Sequence, residues 1–231
     1  MKNFLKEFLR DFSNLFFPPI CLGCKTPLIP NELTICVHCQ LQLPFTYFHL
    51  YKNNLMMQKL TPRLKLELAT ALCYFESNSL VERLIYHLKY GNQEQLGSYF
   101  GKIAGELIHK NIFMDIDAVI PVPLHSKRKR KRGYNQVTLF GKEIANYLGV
   151  PLIENELVRI ENTKQLAKTS PLDRALVLKN AFQYKTKNDK PKHFLLVDDV
   201  ITTGATLVAC GKLLTSNSKN RLSIATIGYR N

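Results

Sequence analysis

Two carboxylates stand side by side at Asp198 and Asp199, after the apolar run Phe194–Val197 and before a turn of Thr202, Thr203, Gly204, Ala205 and Thr206. Neighbouring like charges disfavour ionisation, so keeping both acids charged asks for hydrogen-bond donors, a cation or water. A ribose ring supplies such donors, because its 2′- and 3′-hydroxyls can each donate to a carboxylate. The turn adds backbone N–H groups and hydroxyls at the start of a predicted helix, where free amides and the positive end of the helix dipole hold a phosphate. Gly204 allows the backbone a close approach. Together Asp198, Asp199 and Ile201 to Thr206 read as a seat for a ribose 5-phosphate. The nucleotide-loop spacing G-x4-G-K-[ST] and the dinucleotide spacing G-x-G-x-x-G are both absent. Helix capping by Asp199 and Thr203 is the plainer alternative. It explains one acid or one Thr, not two acids, three Thr and a Gly within nine residues.

A second cluster is basic. Lys127, Arg128, Lys129, Arg130, Lys131 and Arg132 follow one another in IPVPLHSKRKRKRGYNQ, which reads as a loop between a strand and a helix opening at 132–136. At a sheet edge such a loop can compensate the charges of a pyrophosphate leaving group, or grip a nucleic-acid backbone and release its counterions. A solvated charged loop is the third reading. Self-repulsion predicts a mobile run when no ligand is bound. Tyr134 and Phe140, the aromatics beside it, fit core packing better than base stacking.

The third cluster is Cys21, Cys24, Cys36 and Cys39, spaced C-x2-C-x11-C-x2-C. Each knuckle can turn two thiolates onto one tetrahedral ion, and the spacer returns the second pair. Four soft thiolates with no other ligand make structural zinc the default, with an iron–sulfur centre as the alternative. Two disulfides fit poorly with a chain that shows no secretion signal. His38, inside the second knuckle, reads as a bystander. Cys73 and Cys210, in apolar surroundings, read as core thiols.

The elements must bring these clusters together. With 231 residues, 45% of them hydrophobic, the chain suffices for one α/β domain and a small accessory module, which argues against disorder. No apolar run reaches the ~18 residues of a membrane span, and no secretory signal is evident, so the expected location is cytoplasmic. Net charge is +14, half of it between Ala118 and Lys142, where seven residues are basic and none acidic. That imbalance points to an anionic partner: nucleic acid, an acidic membrane surface or a phosphorylated substrate. A uniformly Lys-rich proteome is the bland source of the same charge. Phe4, Phe8, Phe12 and Leu15 lie at helical spacing. They predict an amphipathic helix over residues 3–16, within an N-terminal segment 1–19, that packs on its own protein or meets a membrane or partner.

Residues 20–60 hold the cysteine module and an unpatterned connector, and 61–231 the main domain. In the latter, alternating Leu64, Leu66 and Leu68 predict a half-buried strand, with helices after it at 79–90 and 93–110. Strands at 117–122, 152–158, 194–197 and 221–229 then alternate with helices at 135–148 and 205–215. This order predicts a mostly parallel sheet with helices on both faces, whose carboxyl edge holds ligands.

LLVDDVITTGAT closely resembles the phosphoribosyl-pyrophosphate motif of type I phosphoribosyltransferases. The resemblance implies that Asp198 and Asp199 hold the ribose hydroxyls, that Ile201 to Thr206 cradle the 5-phosphate, and that Mg²⁺ on the pyrophosphate helps offset the acids. Add PVPLH (121–125), RGYNQ (132–136), HLKYGN (87–92) and the four-cysteine module behind an apolar helix, and nearly the whole chain resembles the ComF competence-protein family, also called GntX-like. That likeness implies a type I phosphoribosyltransferase-like fold with an N-terminal zinc module. It also implies a natural-transformation protein that binds phosphoribosyl pyrophosphate and handles incoming single-stranded DNA on the cytoplasmic side of the membrane. Other DNA-uptake proteins or the inner membrane surface would be its neighbours, and Arg132 would serve the ligand site. A hood over the ligand is implied at Arg159, Thr163, Gln165, Arg174, Asn180 and Phe182, at intervals a few residues off the family's. A phosphoribosyltransferase of nucleotide salvage is the other function the seat would suit. The sequence leaves turnover open and singles out no catalytic residue.

Overall fold

The computed structural model describes residues 18–109, 115–160, 181–185 and 192–231. The helix expected at 3–16 lies outside them, as do Thr163, Gln165, Arg174 and Asn180 of the expected hood. The longest apolar runs form the centre of a four-stranded parallel sheet, where β5 (His193–Ile201) pairs with β6 (Arg221–Tyr229). β1 (Leu68–Tyr74) flanks β6 and β2 (Ala118–Pro121) flanks β5, so the order is β1-β6-β5-β2. Successive side chains divide between two cores, as strand geometry requires. Leu195 and Val197 enter one core, and Phe194 and Leu196 the other.

Beyond the short helix α1 (Val37–Leu41) of the cysteine module, helices cover both faces of the sheet. α3 (Leu80–Tyr90), α4 (Gln95–His109) and α6 (Thr138–Leu148) close the first core through Leu84, Phe100 and Phe140. α2 (Leu55–Leu60) and α7 (Ala205–Leu214) close the second through Met56, Leu60 and Leu207. The expected mostly parallel sheet with helices on both faces is therefore the architecture found. No described helix is long and apolar enough to cross a membrane.

Four local expectations need correction. The strand announced by Leu64, Leu66 and Leu68 begins only at Leu68, and it is buried on both faces because helices lie above and below it. The connector is not featureless: Asn54 caps α2, its Oδ1 accepting the Met56 and Met57 amides at 3.0 Å while Nδ2 donates to Phe48, Tyr51 and Ala69 carbonyls. The strand expected at 152–158 divides. Leu152 makes a lone parallel bridge to Val119, and β3 (Leu157–Arg159) pairs antiparallel with β4 (Phe182–Tyr184) in a separate ribbon.

The fourth correction concerns the basic run, which is a helix rather than a loop: α5, Ser126–Arg132. His125 Nδ1 accepts the Lys127 amide at 3.2 Å, and Gly133, at φ 84°, ends the helix. Lys and Arg are good helix formers, and a helix fans consecutive charges around its axis, which eases the repulsion an extended run would suffer.

Candidate functional site

β5 continues through both acids to Ile201, so Asp198 and Asp199 lie within the strand and not beyond its end. Strand periodicity sends them to opposite faces. On the first-core face, Lys89 Nζ at the end of α3 stands 3.0 Å from Asp199 Oδ1, and Gln136 Nε2 donates to Oδ2 at 2.6 Å. Arg132 in turn donates to Gln136 Oε1. Asp199 therefore has its complement inside the protein. Neither acid caps the following helix, whose N-cap is Gly204 with no side-chain bond.

Asp198 faces the other side and shares a cavity of about 50 Å³ with residues 200–207. Its Oδ1 accepts the Asp199 amide at 2.8 Å. Burial, and next the charge of Asp199, push the Asp198 carboxyl above the ordinary carboxylate range, while Lys89 and Arg159 pull it back. The adjacent acids are thus unlike. One is paired by the fold, and the other is held, strained against ionisation, at the wall of a cavity.

The turn after them is held from behind. Lys59 Nζ donates to the Thr202 carbonyl at 3.3 Å and to the Arg230 carbonyl at 2.6 Å, and Arg63 Nη2 donates to the Thr203 carbonyl at 2.7 Å. A trans peptide opposes its C=O and N–H, so the Thr203 and Gly204 amides point away from these cations. Among the described residues no group accepts from either. Gly204 is required twice over. Its φ is 72°, and a Cβ there would lie 2.8 Å from Leu60 Cδ2. Lys59 and Arg63 escaped sequence reading because one ends the connector and the other opens the next domain; their i,i+4 spacing behind the Asn54 cap was the available signal.

Of the expected hood, Arg159 and Phe182 are described, with the guanidinium carbon 5.1 Å from the ring centre. A second cavity, about 240 Å³, opens between the end of β2, the start of α5 and residues 154–159, with Lys129 and Arg159 on its wall. On α5 itself, residues 126–131 are exposed, and Lys127, Arg128, Lys129, Arg130 and Lys131 make no ion pair among the described residues. Arg132 alone is drawn into the acidic network. Burial, and next the cations Arg159, Lys127, Arg128 and Arg130, push the His125 imidazole below its usual range, which keeps its capping nitrogen an acceptor. Phe140 is fully buried and the Tyr134 hydroxyl donates to the Leu88 carbonyl, so both serve packing.

The four cysteine sulfurs lie within 4.8 Å of one another, with no His or carboxylate in the set. Gly23 and Cys36 amides donate to Cys21 Sγ at 3.3 and 3.2 Å, and the Cys39 amide donates to Cys36 Sγ at 3.5 Å. Such donors orient and stabilise thiolates. The set fits a closed structural zinc site. His38 pairs with Gln42 at 3.0 Å instead. The first knuckle packs on the start of α3, where a Cβ on Gly23 would lie 2.7 Å from Leu80 Cδ1. Cys73 and Cys210 are fully buried, and burial pushes the Cys73 thiol up to about 12.

No protein-family model matches the chain. Competence protein F of Haemophilus influenzae is 43% identical over 100 residues, which is 42% of this chain and 44% of that protein. DNA utilization protein YhgH of Escherichia coli O157:H7 is 29% identical over 219 residues, 88% of this chain and 93% of the relative. Competence protein ComFC of Bacillus subtilis is 33% identical over 101 residues, 44% of this chain and 39% of that protein. The chain thus spans less than half of the two competence proteins and nearly all of YhgH. Among solved structures, adenine phosphoribosyltransferase from Leishmania tarentolae covers 81% of this chain and 94% of its own, at 13% identity and a TM-score of 0.39. At that score the fold assignment rests on the sheet order and the motif. The chain is thus similar in sequence to ComF/ComFC-type competence proteins over less than half of its length, and to YhgH over most of it.

Proposed function

We propose that the chain is a natural-transformation protein that binds Mg²⁺–phosphoribosyl pyrophosphate and handles incoming single-stranded DNA on the cytoplasmic side of the membrane. In this reading residues 20–60 form the zinc module and connector, and 61–231 the phosphoribosyltransferase-like domain. Other DNA-uptake proteins or the inner membrane surface are the neighbours this reading expects.

One observation carries the ligand reading. Asp198 and the Thr202–Thr206 turn line one cavity, and Lys59 and Arg63 hold the turn's carbonyls on its far side. Ribose hydroxyls suit the carboxylate, and a 5-phosphate suits the amides, the hydroxyls and the N-terminal end of α7. The exposed cations of α5 suit a phosphate backbone. The relatives' names associate proteins of this kind with competence and DNA utilization.

Titration calorimetry with Mg²⁺ and phosphoribosyl pyrophosphate tests the seat. Asp198→Asn removes charged hydrogen bonds worth ~1.5–3 kcal/mol each, so affinity should fall tenfold or more. Equal binding by wild type and variant removes the reading. A transformation assay on the same variant, with DNA uptake scored separately, places the step. If a free nucleobase is consumed with pyrophosphate release and no DNA is bound, the salvage reading replaces this one. Elemental analysis of reduced protein should find one zinc per chain.

A further inference from the structure

We propose that Tyr86 and Tyr90 form a stacking platform for the bases of single-stranded nucleic acid, continuous with the basic helix α5. The inference rests on the DNA contact proposed above and adds where the bases lie. α3 buries Val81, Leu84, Ile85 and Leu88, yet on its outer side it carries two tyrosines four residues apart, 61% and 67% exposed. Residues at this spacing share a helix face. Their ring centres are 5.1 Å apart with planes at 48°, and His87 meets Tyr86 edge-on at 6.3 Å. Packing does not require them there.

The pair is joined to the cations. The Arg132 guanidinium carbon lies 5.3 Å from the Tyr90 ring centre, and the Tyr134 hydroxyl ties the segment after α5 to the Leu88 carbonyl. Lys89, between the two tyrosines, is committed to Asp199, and Arg132 to Gln136, so the phosphate-binding charge comes from Lys127 to Lys131. A cationic track beside exposed rings is the combination that holds single strands: backbone on the charges, bases on the rings. A duplex hides its base faces and gains nothing from the rings, which selects the single strand. An acidic membrane would use the same charges without needing stacked rings.

The probe is a labelled oligothymidylate, set against an abasic strand of equal length and against vesicles containing phosphatidylserine. Tyr86→Ala/Tyr90→Ala should weaken oligothymidylate binding at least about fivefold per base unstacked, leave the abasic strand unchanged, and preserve the salt slope set by α5. Tyr86→Phe/Tyr90→Phe keeps the rings and should bind like wild type. The chain contains no Trp, so tyrosine emission is directly visible and should be quenched by the oligonucleotide in wild type and less in the alanine variant. Wild type that binds the abasic strand as tightly as the oligonucleotide, or an alanine variant that binds both as wild type does, overturns the platform and leaves the DNA reading standing. Loss of vesicle binding with unchanged oligonucleotide binding also overturns it and makes the membrane the occupant. If wild type binds neither strand, the DNA contact itself fails and the platform with it.

Discussion

The acidic strand end and the basic helix carry the two strongest charge signals in the chain, and the fold treats them oppositely. The acidic pair is wired into its surroundings. Asp199 is held by Lys89 and Gln136, Asp198 is pressed toward its neutral form, and the turn after them is tied down by Lys59 and Arg63. The basic helix touches the body through its two ends, His125 and Arg132, and leaves the charges between them in solvent. A small ligand must be met by groups already in position, because freezing them on binding would cost affinity. A long polyanion is drawn by charge density, which needs exposure more than fixed geometry. The contrast matches a preorganised seat on one side and an electrostatic track on the other.

The largest effect that would break this contrast lies in the basic helix. For four single-strand phosphate contacts, affinity should drop ~50-fold between 50 and 200 mM salt, since the log–log slope is about −0.7 per phosphate. Replacing Lys127, Arg128, Lys129 and Arg130 with Gln should flatten that slope and hardly move stability, because surface changes of this kind stay within about 0.5 kcal/mol. A variant that keeps the wild-type slope places the DNA elsewhere.

Next comes Asp199→Asn. It strips the charge partner from Lys89 and should destabilise by about 1.5–3 kcal/mol, nearer the lower end because the Lys89 side chain is 25% exposed. Chemical denaturation reads this, and an unchanged midpoint would mean the Lys89 contact contributes nothing. Gly204→Ala forces a side chain into a left-handed conformation against Leu60 and should cost ~1–3 kcal/mol, together with ligand affinity. A crystal structure of that variant with an undisturbed turn would contradict the close fit.

The smallest effect has the opposite sign. In the unliganded protein Asp198 holds its proton more tightly than it would unfolded. The stability this contributes is complete below the ordinary carboxylate value and is lost as pH rises through the raised folded value. Asp198→Asn should therefore stabilise the unliganded chain near neutral pH by about 1 kcal/mol, ~2–4 °C in Tm for a chain of this size. The advantage should shrink as the pH is lowered toward the carboxylate range. Parallel stability–pH curves for wild type and variant would show that the two acids do not differ as described.

What the amino-acid order determined by itself is what one segment can express alone. The four-cysteine spacing, the acids ahead of a Thr-Gly turn and the alternation of apolar runs with helical patterns each follow from local periodicity and side-chain chemistry; the cysteines do gather and the parallel sheet does form, while β5 runs on through the acids and the 152–158 strand divides. Even locally, the helicity of the basic run was hidden, because six like charges argue for a loop until His125 supplies the cap. The tertiary structure decided the partnerships. Lys89 and Asp199 are 110 residues apart, and Lys59 reaches Thr202 across 143. Packing α3 and α2 on opposite faces of the parallel sheet makes both pairs, and the same packing leaves Tyr86 and Tyr90 in solvent. Spacing records which chemistry a segment can offer, whereas charge compensation and exposure depend on which distant segments the sheet brings beside it.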